Sequence, residues 1–137
     1  MQLKNKIVFI TGANAGIGAA IVNILEKEKY TIIATSRKIS KKNKKNIFYY
    51  NLDVTNESQW QELIKNIKSK FGKLDILINN AGIRESGNLQ NTSLEQWENI
   101  INTNLTSIFL GCKYALPLLK KGRNASIVNL TSISGIR

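Results

Sequence analysis

Thr11-Gly12-Ala13-Asn14-Ala15-Gly16-Ile17-Gly18 joins two segments of different periodicity, and no other stretch restricts the fold so tightly. Before it, Lys6 to Thr11 (KIVFIT) is apolar and β-branched and reads as a buried strand. After Gly16, residues Ile17, Ala20, Ile21, Ile24 and Leu25 recur at helical intervals. Glycines 12, 16 and 18 thus stand where a strand gives way to a helix. Glycine at such a turn permits a tight bend, a close approach of backbone to ligand, and close packing of helix on strand. The helix that follows presents unpaired N–H groups and the positive end of its dipole, which suits a pyrophosphate. The spacing is Gly-x-x-x-Gly-x-Gly, not the Gly-x-Gly-x-x-Gly of most dinucleotide sites. Gly18 is followed by Ala19 and Ala20, so this is not a Lys-Ser/Thr phosphate loop either.

The remaining elements alternate. Thr31 to Thr35, Ile47 to Leu52, Leu74 to Asn79 and Ser126 to Leu130 read as strands, the last one buried. Asn56 to Phe71 reads as a helix with Trp60, Leu63, Ile64, Ile67 and Phe71 on one face. Asn56 with Gln59 resembles a capping box, and Gly72 supplies the stop. Ser93 with Gln96 opens another helix carrying Leu94, Trp97, Ile100 and Ile101. Leu105, Ile108, Phe109, Cys112 and Leu116 continue the stripe as a separate or bent helix, whose end Pro117 should bend or shorten. This is the alternation of an α/β fold, a doubly wound parallel sheet with helices on both faces. At 137 residues and 42% hydrophobic, one core and one domain over 1–137 are expected.

Composition narrows the function. No run of about 18 apolar residues exists to cross a membrane. The short N-terminal apolar run has no small-residue cleavage pattern and reads as a strand, not a signal peptide. The lone Cys112 supports no disulfide framework, and a cytoplasmic location fits. With no histidine, a Ser-His-Asp triad or His-ligated metal site is excluded, and no metal site is expected. The net charge of +11 invites an anionic partner. Its densest run, Arg37 to Lys45, has no interleaved aromatic for base stacking, which argues against nucleic acid. A solvated loop and a role in attracting a cofactor phosphate both remain open for it.

With its preceding Thr and internal Ile, the glycine spacing resembles the short-chain dehydrogenase/reductase family, classical type. Four further segments carry the same resemblance: Asp53 in NLDVT, Asn79-Asn80-Ala81-Gly82, Asn104 in NTNLTS, and Ser132 in IVNLTSISG. The resemblance implies a Rossmann-like sheet of order 3-2-1-4-5, with further C-terminal strands missing from this chain. It implies hydride transfer between a nicotinamide cofactor and a small carbonyl or alcohol substrate. Its cofactor-binding residues would be Gly12, Asn14, Ala15, Gly16, Ile17, Gly18, Ser36, Arg37, Asp53, Val54, Asn80, Ala81 and Gly82. Asp53 would meet the adenine, or alternatively cap the turn after it. Asn79 would bond backbone between strands. Ser132 and Asn104 would belong to the catalytic set, Asn104 opening its helix and holding a water.

The tip of the second strand bears on the choice of cofactor. Ser36 stands where an acid would hold a ribose diol, and Arg37 and Lys38 follow. A carboxylate would repel a 2′-phosphate, whereas a guanidinium can bind it with paired hydrogen bonds. NADP(H) is therefore expected over NAD(H), although Ala15 stands where many NADP-binding relatives carry a second basic residue. The family's Tyr-x-x-x-Lys pair would follow Ser132 by roughly a dozen residues, on the next helix. It is not in this sequence, and Tyr114 is followed four residues on by Leu118. The resemblance thus implies the N-terminal part of a longer oxidoreductase, truncated and inactive alone. The alternative is a non-catalytic dinucleotide-binding or interaction module. Ile83 to Asn88 and Ser134 to Arg137 are expected to border the substrate pocket. Relatives are commonly dimers or tetramers, which admits a homo-oligomer.

Overall fold

Every residue of β1 (Ile7–Ile10) is buried, because both faces of the strand are covered. Ile7 and Phe9 join one apolar cluster, and Val8 and Ile10 join the other. The computed structural model describes residues 6–39, 41–85 and 87–132. Around β1 stand β2 (Thr31–Ser36), β3 (Ile47–Asn51), β4 (Ile76–Asn79) and β5 (Ser126–Asn129). All neighbours pair parallel, in the order β3-β2-β1-β4-β5. The expected doubly wound sheet is what the chain forms.

Helix α1 (Gly16–Lys27) covers one face of this sheet, where Val22 joins Val8, Ile10, Ile32 and Ile47 in one apolar cluster. Helices α2 (Glu57–Phe71) and α4 (Ser107–Leu119) cover the other, over Phe9, Ile33 and Leu77. Trp60 anchors that second core. Its ring lies 5.5 Å from that of Phe9, and its indole N–H donates to the Val54 carbonyl at 2.9 Å. Helix α3 (Leu94–Ile101) runs into α4 through a π-helical turn, Asn102–Thr106. The helix continues two residues past Pro117.

The helix ends follow their caps. Ser93 and Gln96 form a full capping box, and Gly72 ends α2 with φ 73°. The Asn56 box is only half made. Asn56 accepts from the Gln59 amide at 3.1 Å, but the Gln59 side chain reaches back to the Asp53 N–H at 2.7 Å instead. Between α2 and α4, Tyr114 donates its hydroxyl to Glu57, which also pairs with Lys113 at 2.9 Å. Hydrogen bonds from Tyr114 and Lys113 hold the Glu57 carboxyl below the ordinary range.

Four elements differ from their sequence reading in the face they bury. Strand β5 is exposed at every position, with Ile127 and Val128 40% and 45% accessible. Among the described residues it is the outer strand, paired only to β4. On α1, Ile17 and Ile24 point to solvent, and Gly18 and Val22 take the inner face. On α4 the inner face is Ser107, Leu110, Gly111, Ala115 and Leu118, while Phe109 and Leu116 are exposed. Leu94, Trp97 and Leu105 are exposed as well. Close packing on the sheet selects small residues, so the bulkiest stripe is not the buried one. At Gly111 a Cβ would come within 2.6 Å of the Asn79 side-chain oxygen.

Asp75 ties the N-terminal end of the sheet together. Its carboxylate is fully buried and accepts from the amides of Ile7 at 2.9 Å and Arg123 at 2.8 Å. Lys73 closes the arrangement at 2.8 Å. Burial pushes the Asp75 pKa up, but the bonds from Lys73, Ile7 and Arg123 outweigh it and the net direction is down. Such a group stabilises the fold above the unfolded carboxylate pKa of about 3.9, and that contribution is lost as pH falls through the lower folded value. Asp75→Asn is expected to cost about 2 kcal/mol in urea unfolding at pH 7 and to flatten the loss of stability below about pH 4. A variant as stable as the parent at pH 7 would contradict this.

Candidate functional site

Chain geometry builds the site at the opposite end of the sheet, where the strand order reverses between β1 and β4. Thr11, 2% exposed, leaves β1 with its hydroxyl turned to the loop after β4. That oxygen accepts the amides of both Asn80 and Ala81 at 3.0 Å. In return the Asn80 side-chain amide donates to the carbonyls of Thr11 at 2.8 Å and Gly12 at 3.1 Å. Two loops 68 residues apart are thereby held as one unit. Contact is so close that a Cβ on Gly12 would lie 2.9 Å from the Ala81 Cα, and one on Gly18 would collide with the Gly12 carbonyl. At Gly16 the need is different: its φ is +54° and the space beside it is open.

This unit walls a cleft of about 560 Å³. All thirteen of the expected cofactor residues line it: Gly12, Asn14 to Gly18 of the glycine turn, Ser36 and Arg37, Asp53 and Val54, and Asn80 to Gly82. The N-terminus of α1 opens into it with no side-chain cap. An elongated anion fits such a cleft, since the first amides of a helix lack internal partners. Asp53 behaves in part as a turn cap, its Oδ1 accepting from the Thr55 amide at 3.0 Å and hydroxyl at 2.7 Å. Its Oδ2 makes no hydrogen bond among the described residues. Arg37 is exposed and forms no ion pair there.

Asn104 and Ser132 do not line the cleft. Asn104 lies in the π-helical turn, and its side chain grips Ile83 from both sides. Its oxygen accepts the Ile83 amide at 2.8 Å, and its amide donates to the Ile83 carbonyl at 2.9 Å. Ile83 does line the cleft, so Asn104 acts on its wall. Asn79 bonds the Asn129 side chain on β5 at 2.8 Å, in place of the backbone contact expected of it. Leu130 donates to the Asn79 carbonyl at 2.9 Å, which delivers exposed Ser132 to the same end of the sheet as Asn80 to Gly82. Ser134 to Arg137, expected at the rim, lie outside the described residues. No cluster of three or more His, Cys, Asp or Glu forms among the described residues, and no helix there is long and apolar enough to cross a membrane.

Sequence reasoning passed over five residues of this region, among them Leu52, which lines the cleft. Thr11 stood in the motif but carried no role. Thr55, Asn99 and Thr103 line the cleft. The spacing of Asn99 and Thr103, four apart ahead of Asn104, was the available signal for one shared face.

Replacing Thr11 by Val keeps the shape and removes the acceptor for two amides. It is expected to cost about 2 kcal/mol and to speed hydrogen exchange at Asn80 and Ala81, whereas Thr11→Ser should retain most of the stability. Equal losses for the two variants would contradict the role of the hydroxyl.

The family model described as short chain dehydrogenase matches residues 6–137. A 3-oxoacyl-(acyl-carrier-protein) reductase, FabG, of Thermotoga maritima is 36% identical over 99% of this chain and 59% of its own length. An NADP-dependent (R)-specific alcohol dehydrogenase of Lentilactobacillus kefiri is 32% identical over 98% of this chain and 57% of its own. A solved ElxO variant with NADPH bound superposes with a TM-score of 0.88 at 38% identity, covering 97% of this chain and 58% of that one. The chain thus spans a little under 60% of the length of these relatives. Matched from residue 6 to residue 137, it belongs to the short-chain dehydrogenase family.

Proposed function

We propose that the chain is the cofactor-binding part of an oxidoreductase that transfers hydride between NADP(H) and a small carbonyl or alcohol substrate. One observation carries the reading: the glycine turn, the tip of β2, Asp53 and the Asn80–Gly82 backbone meet in one cleft. A bound dinucleotide would supply the nicotinamide carbon that takes or gives hydride. The amides of Gly16 to Gly18 at the start of α1 would hold its pyrophosphate. Asp53 and Val54 would flank the adenine, and Asn80 to Gly82 the ribose on the far side. Ser132 would orient the substrate oxygen. Asn104 would be a positioning residue that sets the cleft wall through Ile83. A proton donor is needed beside Ser132, and the proposed activity belongs to a polypeptide that also carries a Tyr-x-x-x-Lys pair. A reducing cytoplasm and a homo-oligomeric state are part of the same proposal.

Support for NADP(H) over NAD(H) comes from the strand tip. Ser36 and Arg37 line the cleft where a carboxylate would exclude a 2′-phosphate. The L. kefiri relative is named NADP-dependent, and the ElxO variant was solved with NADPH. Titration by nicotinamide fluorescence tests the proposal. NADPH should bind more tightly than NADH, and Arg37→Ala should weaken NADPH about 10- to 100-fold with little change for NADH. Tighter binding of NADH would overturn the cofactor assignment.

A further inference from the structure

Lys41 has an arrangement that the other lysines of its loop do not share. The loop after β2 folds back so that the Lys41 ammonium lies 3.5 Å from the Asn14 carbonyl, in the glycine turn. Its other neighbour is the Tyr49 ring, 5.9 Å from the ammonium to the centroid. Among the described residues no carboxylate pairs with it, whereas Lys44 of the same loop is bound to Glu26 at 2.9 Å. Asn14 and Arg37 both line the cleft. An aromatic face and one carbonyl therefore hold an uncompensated cation beside the glycine turn, next to Ala15.

We propose that Lys41, which stands just outside the cleft lining against Asn14, is the second cation of the 2′-phosphate site and acts with Arg37. The inference rests on the NADP(H) reading above and deepens it. A ribose 2′-phosphate carries nearly two negative charges, which one guanidinium does not balance. Ala15 leaves the glycine turn without a basic side chain of its own, and Lys41 brings the missing charge to that place through space. The carbonyl of Asn14 is a weak partner that the ammonium can keep or exchange for phosphate oxygen without leaving an ion pair broken.

The test is the affinity of the chain for NADPH and for NADH, in the parent, Lys41→Met, Lys41→Arg and Arg37→Ala, at low and at raised salt. Lys41→Met is expected to weaken NADPH about fivefold and leave NADH unchanged, and Lys41→Arg to stay within about twofold of the parent. In the parent, the preference for NADPH should narrow as salt rises. If the parent prefers NADPH and Arg37→Ala abolishes the preference while Lys41→Met does not alter it, Lys41 is overturned and the cofactor reading stands. Equal weakening of both cofactors by Lys41→Met also overturns it, assigning Lys41 to the shape of the glycine turn. A parent that prefers NADH, or binds neither, overturns both. Unchanged melting of Lys41→Met, an exposed loop substitution, separates these outcomes from misfolding.

Discussion

A single hydroxyl, that of Thr11, holds the site in register. It accepts two amides from the loop after β4, while Asn80 returns two hydrogen bonds to the loop after β1. Parallel strands leave their connecting loops at opposite ends of the sheet, so the loops at one end come from distant parts of the chain. Without a tie, each would wander separately. With it, the glycine turn and the Asn80–Gly82 backbone become the two walls of one cleft. The close contacts at Gly12 and Gly18 follow, since a side chain at either would drive the walls apart. Asp75 does the equivalent work at the other end, where it joins β1, β4 and the segment before β5. Between the two ties, the apolar strands need only be buried on both faces.

Much of this was legible in the residues. The alternation of β-branched runs with helical stripes predicts the sheet, and the Ser93 box and Gly72 locate helix ends that the structure reproduces. Exposure of individual faces was less legible. Ile17, Ile24 and Phe109 have the periodicity of a core and lie in solvent. Periodicity reports that a helix has an apolar stripe, not which neighbour covers it. Where α4 packs closely on β4, Gly111 makes the contact, and Gly18 does the same against the glycine turn; such small residues leave little trace in a hydrophobic pattern. Strand β5 makes the same point: its β-branched sequence suits a covered strand, but burial depends on what packs against both faces.

The site shows a similar division. Motif residues that are adjacent in sequence, such as Asn80 to Gly82, were readable because backbone at a strand tip has nowhere else to go. Contacts made through space were not. Nothing in NTNLTS tells that the Asn104 amide grips Ile83, or that Asn79 would meet Asn129 and not backbone. Lys41 sits in a run of lysines that composition alone treats as one solvated loop. The fold separates them, tying Lys44 to Glu26 and bringing Lys41 to the glycine turn. In a chain of net charge +11, position relative to the cleft distinguishes one lysine from another.

The central claim is that the cleft between the glycine turn and the Asn80–Gly82 loop is a dinucleotide site. The most direct measurement is an amide nitrogen–proton NMR titration of the chain with NADPH. The account predicts saturable shifts centred on Gly12 to Gly18, Arg37, Asp53 and Asn80 to Gly82. Shifts confined to the groove between α2 and α4 that Lys65, Lys68, Lys113 and Lys121 line, or none at millimolar cofactor, would contradict it.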